Sequence, residues 1–305
     1  MMARFFTLNG VTGCALREVT DRRSYVGFGK IARPDRSVAS NIAATLAVTC
    51  LAIATTAMSQ APAVRADDSG MAKALANPLA SLISVPLQFN TNHGFGTEDG
   101  DQLKLNVQPV IPIHITEDWN LITRTIIPII WQNDISGDSG TQFGLGDTTS
   151  SLWFSPAKPT DFGLTWGVGP QLYIPTSTDS LLGVGEPGLG PTGIVLVQKG
   201  PWTVGGLANQ VWSLGGDDID SLFVQPFLSY NTPTHWTYTL NSESTYDWNT
   251  EEWSVPVNFK VAKLLKIGEQ RIQLFAGARY YLESTDDGAD GWGARFGVTF
   301  LFPGK

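Results

Sequence analysis

The tightest constraint in this sequence is a pair of alternating stretches, each bracketed at both ends by tryptophan. Along 119–131 the odd positions read Trp119, Leu121, Thr123, Thr125, Ile127, Ile129 and Trp131. Along 236–248 the even positions read Trp236, Tyr238, Leu240, Ser242, Ser244, Tyr246 and Trp248. Alternate residues of a β-strand share a face, so both tryptophans of each pair point the same way. Twelve residue steps span about 40 Å extended, or about 30 Å along the normal at a tilt near 40°, close to the separation of the two aromatic girdles of a membrane barrel. Tryptophan favours a membrane interface because its ring is apolar while its N–H seeks water. Trp119, Trp131, Trp236 and Trp248 are therefore read as girdle residues, and outer-membrane lipid as the surrounding partner.

The rest of the chain from residue 82 follows the same period, with turn signals between strand-like runs. In 102–115, Leu103, Leu105, Val107, Ile111, Ile113 and Ile115 share a face opposite Lys104, Asn106, Gln108 and His114. In 162–174, Phe162, Leu164, Trp166, Val168, Leu172 and Ile174 oppose Gly163, Thr165, Gly167, Gly169 and Gln171. About twelve such runs are expected, joined by loops of alternating length, with Thr176–Gly190 as a long extracellular loop. The fold expected is all-β: a closed antiparallel up-and-down transmembrane β-barrel of about 12 strands, in the bacterial outer membrane of a Gram-negative cell. A soluble barrel with a polar outside is the fold alternative, which the paired tryptophans disfavour. Prolines are the objection: Pro86, Pro109, Pro112, Pro128, Pro170, Pro226 and Pro256 fall inside the runs, and proline cannot donate to a ladder.

Composition agrees with a barrel. Charged residues make up 16% of the chain, below the about 25% typical of soluble domains, while Gly (32), Phe (15) and Trp (10) are plentiful. No apolar stretch after residue 66 reaches the about 20 residues of a spanning helix. Of 20 basic and 28 acidic residues, eight and three fall in 1–66, which leaves 12 and 25 in 67–305. That acidic balance excludes a general nucleic-acid surface.

Residues 1–66 read as an N-terminal extension and cleavable signal peptide. Asn41–Met58 is apolar, Arg33 and Arg36 form a basic flank, and cleavage is expected at Ala61 or Ala66. Both cysteines, Cys14 and Cys50, lie in that part. Residues 67–305 read as the barrel with a short N-terminal lead-in, periplasmic over Asp67–Ala80.

Catalytic motifs are not found: the sequence has no phosphate loop, nucleophile elbow or His-Glu-x-x-His. The expectation is no enzyme, no cofactor and no metal. Asp217-Asp218-Ile219-Asp220 and Asp286-Asp287 with Asp290 are read as solvated loop acids rather than Ca²⁺ ligands. The informative residues oppose the apolar stripes, because a charge on the lipid face costs about 2–4 kcal/mol near midplane. Lys104, His114, Arg124, Glu243, Asp247, Lys260, Arg271, Arg279, Glu283 and Arg295 are therefore candidate lumen-lining residues.

From Asn77 onward the chain resembles a proteobacterial outer-membrane family labelled as the MetA pathway of phenol degradation. The resemblance is carried by Asn77-Pro78-Leu79-Ala80, Leu145-Gly146-Asp147, Leu189-Gly190-Pro191-Thr192-Gly193, Gln198-Lys199-Gly200-Pro201-Trp202, Gln225-Pro226-Phe227, Glu243-Ser244-Thr245-Tyr246-Asp247-Trp248, Trp253-Ser254-Val255-Pro256, Gly277-Ala278-Arg279-Tyr280 and Gly291-Trp292-Gly293. It implies a transporter-like, porin-like barrel passing aromatic or other hydrophobic compounds, and it brings no catalytic residues. The expected function is thus a channel or uptake barrel for a small-molecule solute. The alternatives are a structural or adhesion barrel without an open pore, and a membrane-edge lipid hydrolase using His93, His114 or His235.

Overall fold

A computed structural model of the chain describes residues 67–216 and 218–303. Residues 1–66, read above as an extension and signal peptide and holding Cys14 and Cys50, lie outside the described part, as do Asp217 and the last two residues. One helix, α1 (Asp67–Leu75), precedes sixteen strand segments. These are β1 (Leu82–Phe95), β2 (Gly100–Val107), β3 (Val110–His114), β4 (Trp119–Asn133), β5 (Thr141–Leu145), β6 (Thr148–Pro156), β7 (Leu164–Ile174) and β8 (Gly188–Lys199). They continue with β9 (Trp202–Ser213), β10 (Asp220–Asn231), β11 (Trp236–Ser242), β12 (Ser244–Asp247), β13 (Glu252–Ser254), β14 (Pro256–Ile267), β15 (Gln270–Tyr281) and β16 (Trp292–Pro303).

Four spanning strands are each broken in two (β2/β3, β5/β6, β11/β12 and β13/β14), so sixteen segments build a twelve-strand barrel. All pairings are antiparallel between neighbours, and β1 closes the ring on β16 from Leu82↔Pro303 to Asn90↔Arg295. Closure removes every free edge, which is what a lipid environment demands of a sheet. One end carries the first and last strand ends and the short turns. Two of those turns, 200–201 and 268–269, have only two residues, with Gly200 (φ 57°) and Gly268 (φ 59°) in the left-handed first position that such hairpins require. The opposite end carries the two longest connections, 175–187 and 282–291. These are called the turn end and the loop end below.

The prolines fall where the ladders are interrupted. Pro109 separates β2 from β3, and Pro86 faces that gap, its carbonyl accepting the Gln108 amide at 2.9 Å. Pro128 faces the break between β5 and β6, its carbonyl accepting the Gly146 amide at 2.9 Å. Pro170 and Pro191 face one another across β7 and β8. Pro226 and Pro256 flank the break between β11 and β12 from either side. A missing N–H costs nothing in a ladder already interrupted.

The outer face is apolar between two aromatic belts. Val168, Val195, Val204, Leu228, Leu240 and Phe259 are all exposed. At the turn end Trp119 meets Trp166 edge-on at 6.0 Å, Trp202 packs on Tyr230, and Trp236 lies under the Lys263 ammonium. At the loop end Trp131 pairs across the sheet with Phe143, Trp248 and Trp253 pack on Tyr246, and Tyr280 packs on Trp292.

Trp153 departs from this pattern. It is fully buried on the inner face of β6, against Leu79, Ile122, Ile194 and Leu207. Leu79 belongs to the segment after α1. The lead-in expected in the periplasm is folded into the turn end of the barrel instead. Ala72 of α1 is buried against Leu264 and Leu301, and Gln198 Nε2 donates to the Lys73 carbonyl at 2.9 Å. The Asn77 side-chain oxygen accepts the Leu79 amide at 2.9 Å, a local turn that aims Leu79 at Trp153. The cause is hydrophobic: Ile122, Ile194, Leu207 and Leu264 make an apolar patch inside the barrel that water would otherwise wet.

Candidate functional site

Inside the barrel the polar face of the strands converges on Glu243. This residue occupies the break between β11 and β12, where its amide reaches the Pro256 carbonyl at only 3.4 Å. Its carboxylate takes two arginines. Arg295 donates from Nη1 to Oε1 at 2.8 Å and from Nη2 to Oε2 at 2.6 Å, and Arg279 Nη2 donates to Oε2 at 2.9 Å. Each arginine is also held by asparagine: Arg295 Nε by Asn90 and Arg279 Nε by Asn258, both at 2.8 Å. Tyr281 and Arg279 both donate to Asn92. Charge-assisted, bidentate bonds of this kind fix a guanidinium in one orientation.

Three further cations surround the same region. Lys104 on β2, Arg124 on β4 and Lys260 on β14 all face the interior. Arg124 is held by Gln108 Oε1 at 3.1 Å, and the Lys260 ammonium lies 5.2 Å from the centre of the Phe275 ring. Both feel the charge of Glu243. Among the described residues none of these three is ion-paired to a carboxylate. Five cations thus share one carboxylate in the middle of the barrel.

The interior holds three adjoining cavities of about 200, 450 and 300 Å³, and Glu243 borders each of these. The first lies over the N-terminal segment, with Pro78 and Ala80 in its floor. It meets the second along Gln88, Gln108, Arg124, Leu207, Gln225 and Glu243. The wall is two-sided. The basic arc comes from β2, β4, β14, β15 and β16, whereas β8, β9 and β10 contribute Ile194, Leu207 and Phe227.

The loop end is narrowed from within by 175–187. Gln132 Nε2 donates to the Leu181 carbonyl at 2.7 Å, and Leu182 is buried against the inner wall near Gly144 and Gly146. The Asp147 carboxylate accepts the amides of Ser177 at 3.0 Å and Gly185 at 2.9 Å. The connection read as a long extracellular loop lies at the loop end and is folded down along the wall, with Val184 facing the second cavity.

The remaining candidates stand apart from the Glu243 cluster. His114 is near the turn end, with Nδ1 2.7 Å from Asn120 Oδ1, and Arg271 is half-buried at the same end. Asp247 borders the second cavity and caps its own turn by accepting the Asn249 amide at 2.8 Å. Glu283 is exposed in the loop after β15. The three histidines are dispersed: His93 contacts Asp101 at 2.6 Å, His235 is buried in a turn at φ 64°, and none bonds to a serine among the described residues. No cluster of metal-ligating side chains occurs among the described residues.

Residue reasoning missed the plug and the inward loop. One signal for the plug was present: Trp153 alternates with Ser151 and Ser155, and a tryptophan on a polar face asks for a partner inside.

No family model and no curated protein matches the sequence. Among solved structures the chain is similar to an outer-membrane channel from Pseudomonas putida F1, at TM-score 0.58 and 13% identity, over 73% of this chain and 96% of that one. Weaker likenesses are to the KdgM porin (TM-score 0.44, 10% identity, 72% and 99% covered) and to outer membrane phospholipase A from Escherichia coli (0.46, 14%, 76% and 98%). The first likeness establishes the fold as that of an outer-membrane barrel.

Proposed function

We propose that the protein is a passive outer-membrane channel for small solutes, with the turn end in the periplasm and the loop end outside. One observation carries the reading: three adjoining cavities, lined by polar and apolar side chains together, run inside a barrel whose outer face is apolar. A barrel built only for stability needs no such space. Short periplasmic turns and longer outer loops give the orientation. The ten lumen-lining candidates divide by depth. Lys104, Arg124, Glu243, Lys260, Arg279 and Arg295 form a central selectivity zone; His114 and Arg271 line the inner mouth, and Asp247 and Glu283 the outer one. The apolar arc of Ile194, Leu207 and Phe227 supports the solute class that the motif resemblance implies, aromatic or hydrophobic compounds.

A barrel without a pathway is the second reading, and the packing of Leu79 against Trp153 favours it. Solute flux separates the two. Liposomes containing the purified barrel should swell in an isosmotic solution of a small sugar or amino acid, faster than empty liposomes. Swelling no faster than the empty vesicles contradicts the channel.

A further inference from the structure

The first cavity combines two properties that a simple aqueous pore does not need together. Its charged wall holds Arg124, Lys260 and Arg295 against Glu243, with the carboxylate already taken by Arg279 and Arg295. Arg124 and Lys260 share the cavity, repel each other and have no carboxylate of their own among the described residues. Its other wall presents the half-buried Phe227 beside Ile194 and Leu207, which Leu79 already packs, and Phe275 lies beneath the Lys260 ammonium. Unpaired interior cations are costly unless an anion reaches them. Apolar area beside them is wetted unless something apolar covers it.

We propose that this cavity is a binding site for a small organic anion with an apolar body, its carboxylate between Arg124 and Lys260 and its body against Phe227. The inference deepens the channel reading by naming the class of solute. Size sets a limit, since about 200 Å³ is below the ~300 Å³ at which sites for drug-sized ligands begin. A single ring with one carboxylate suits that space. Charge-assisted bonds orient the anion, and neutral or cationic relatives of the same shape lack them. Entry is from the second cavity, which shares Arg124 and Glu243 with the first.

Equilibrium binding to the intact barrel in detergent tests the site without requiring that the channel conduct. The probes are benzoate, acetate and benzyl alcohol, titrated calorimetrically into the wild type and into Arg124→Gln/Lys260→Gln. Benzoate should bind more tightly than acetate, which lacks the body, and than benzyl alcohol, which lacks the charge. The double variant should bind benzoate about ten- to a hundredfold more weakly. Equal affinity for benzoate and acetate, or for benzoate and benzyl alcohol, overturns the proposal. So does unchanged affinity in the variant. If the double variant fails to fold, judged by loss of its unboiled gel shift, the three-probe comparison on the wild type and the single Lys260→Gln decide. Bilayer conductance is read separately. Benzoate binding in a barrel that never conducts supports the site and overturns the channel; conductance with no benzoate binding overturns the site alone.

Discussion

Glu243 is the residue on which the interior turns. Two prolines remove backbone donors on either side of it, Pro226 opposite Ser242 and Pro256 opposite Glu243, so β11 and β12 part there. The carboxylate then holds two arginines that are nearly buried, with 10% of the Arg279 and 5% of the Arg295 side chain exposed. Removing one partner of a buried ion pair leaves the other uncompensated, at about 3–5 kcal/mol. Glu243→Gln is therefore expected to lower the temperature at which the folded band converts to the heat-denatured one on SDS gels. An unchanged conversion temperature would show that the network adds nothing to the barrel. The face that Glu243 occupies was legible from alternation with Thr237, Thr239, Asn241 and Thr245. Its partners were not, because Arg279 and Arg295 lie 36 and 52 residues away and meet it only once the ring has closed.

At the scale of elements, the strands were legible and the plug was not. A strand declares itself by a period of two, and three of the four broken strands keep that period through the break; from β5 to β6 the inward positions change from even (Gln142) to odd (Trp153). The fourth strand is built from β5 and β6 on either side of the Gly146-Asp147 break. The segment α1 to Ala80 has helix-forming residues but too few apolar positions to say where it docks. That is decided by the inner patch it covers, on strands 40 to 190 residues later in the chain (Ile122, Trp153, Ile194, Leu207, Leu264). A buried leucine replaced by a charge loses its packing and gains a desolvation cost. Leu79→Asp should accordingly release the segment from Trp153 and raise single-channel conductance, with the barrel still folded. A folded Leu79→Asp barrel with wild-type conductance would mean that the segment does not obstruct the pathway.

For the molecule as a whole, two polarities are arranged in opposite directions. The outer surface is apolar between aromatic belts, as lipid requires, and the inner surface is polar except where the plug and the apolar arc lie. The tryptophan pairs made the outer polarity legible, since each spans one lipid thickness. The balance of the central cluster, five cations around one carboxylate, emerged only from the closed barrel, because residues 67–305 are acidic overall and their acids concentrate in loops. A cation-rich passage concentrates anions and repels cations, and interior substitutions tune that preference. The most direct measurement is the reversal potential of the reconstituted barrel in a planar bilayer under a potassium chloride gradient, for the wild type and for Arg124→Ala/Arg279→Ala. The wild type should select chloride over potassium, and the double variant should move toward no preference. Cation selectivity in the wild type, or a selectivity indifferent to the loss of both arginines, would contradict the central cluster as the zone that solutes pass.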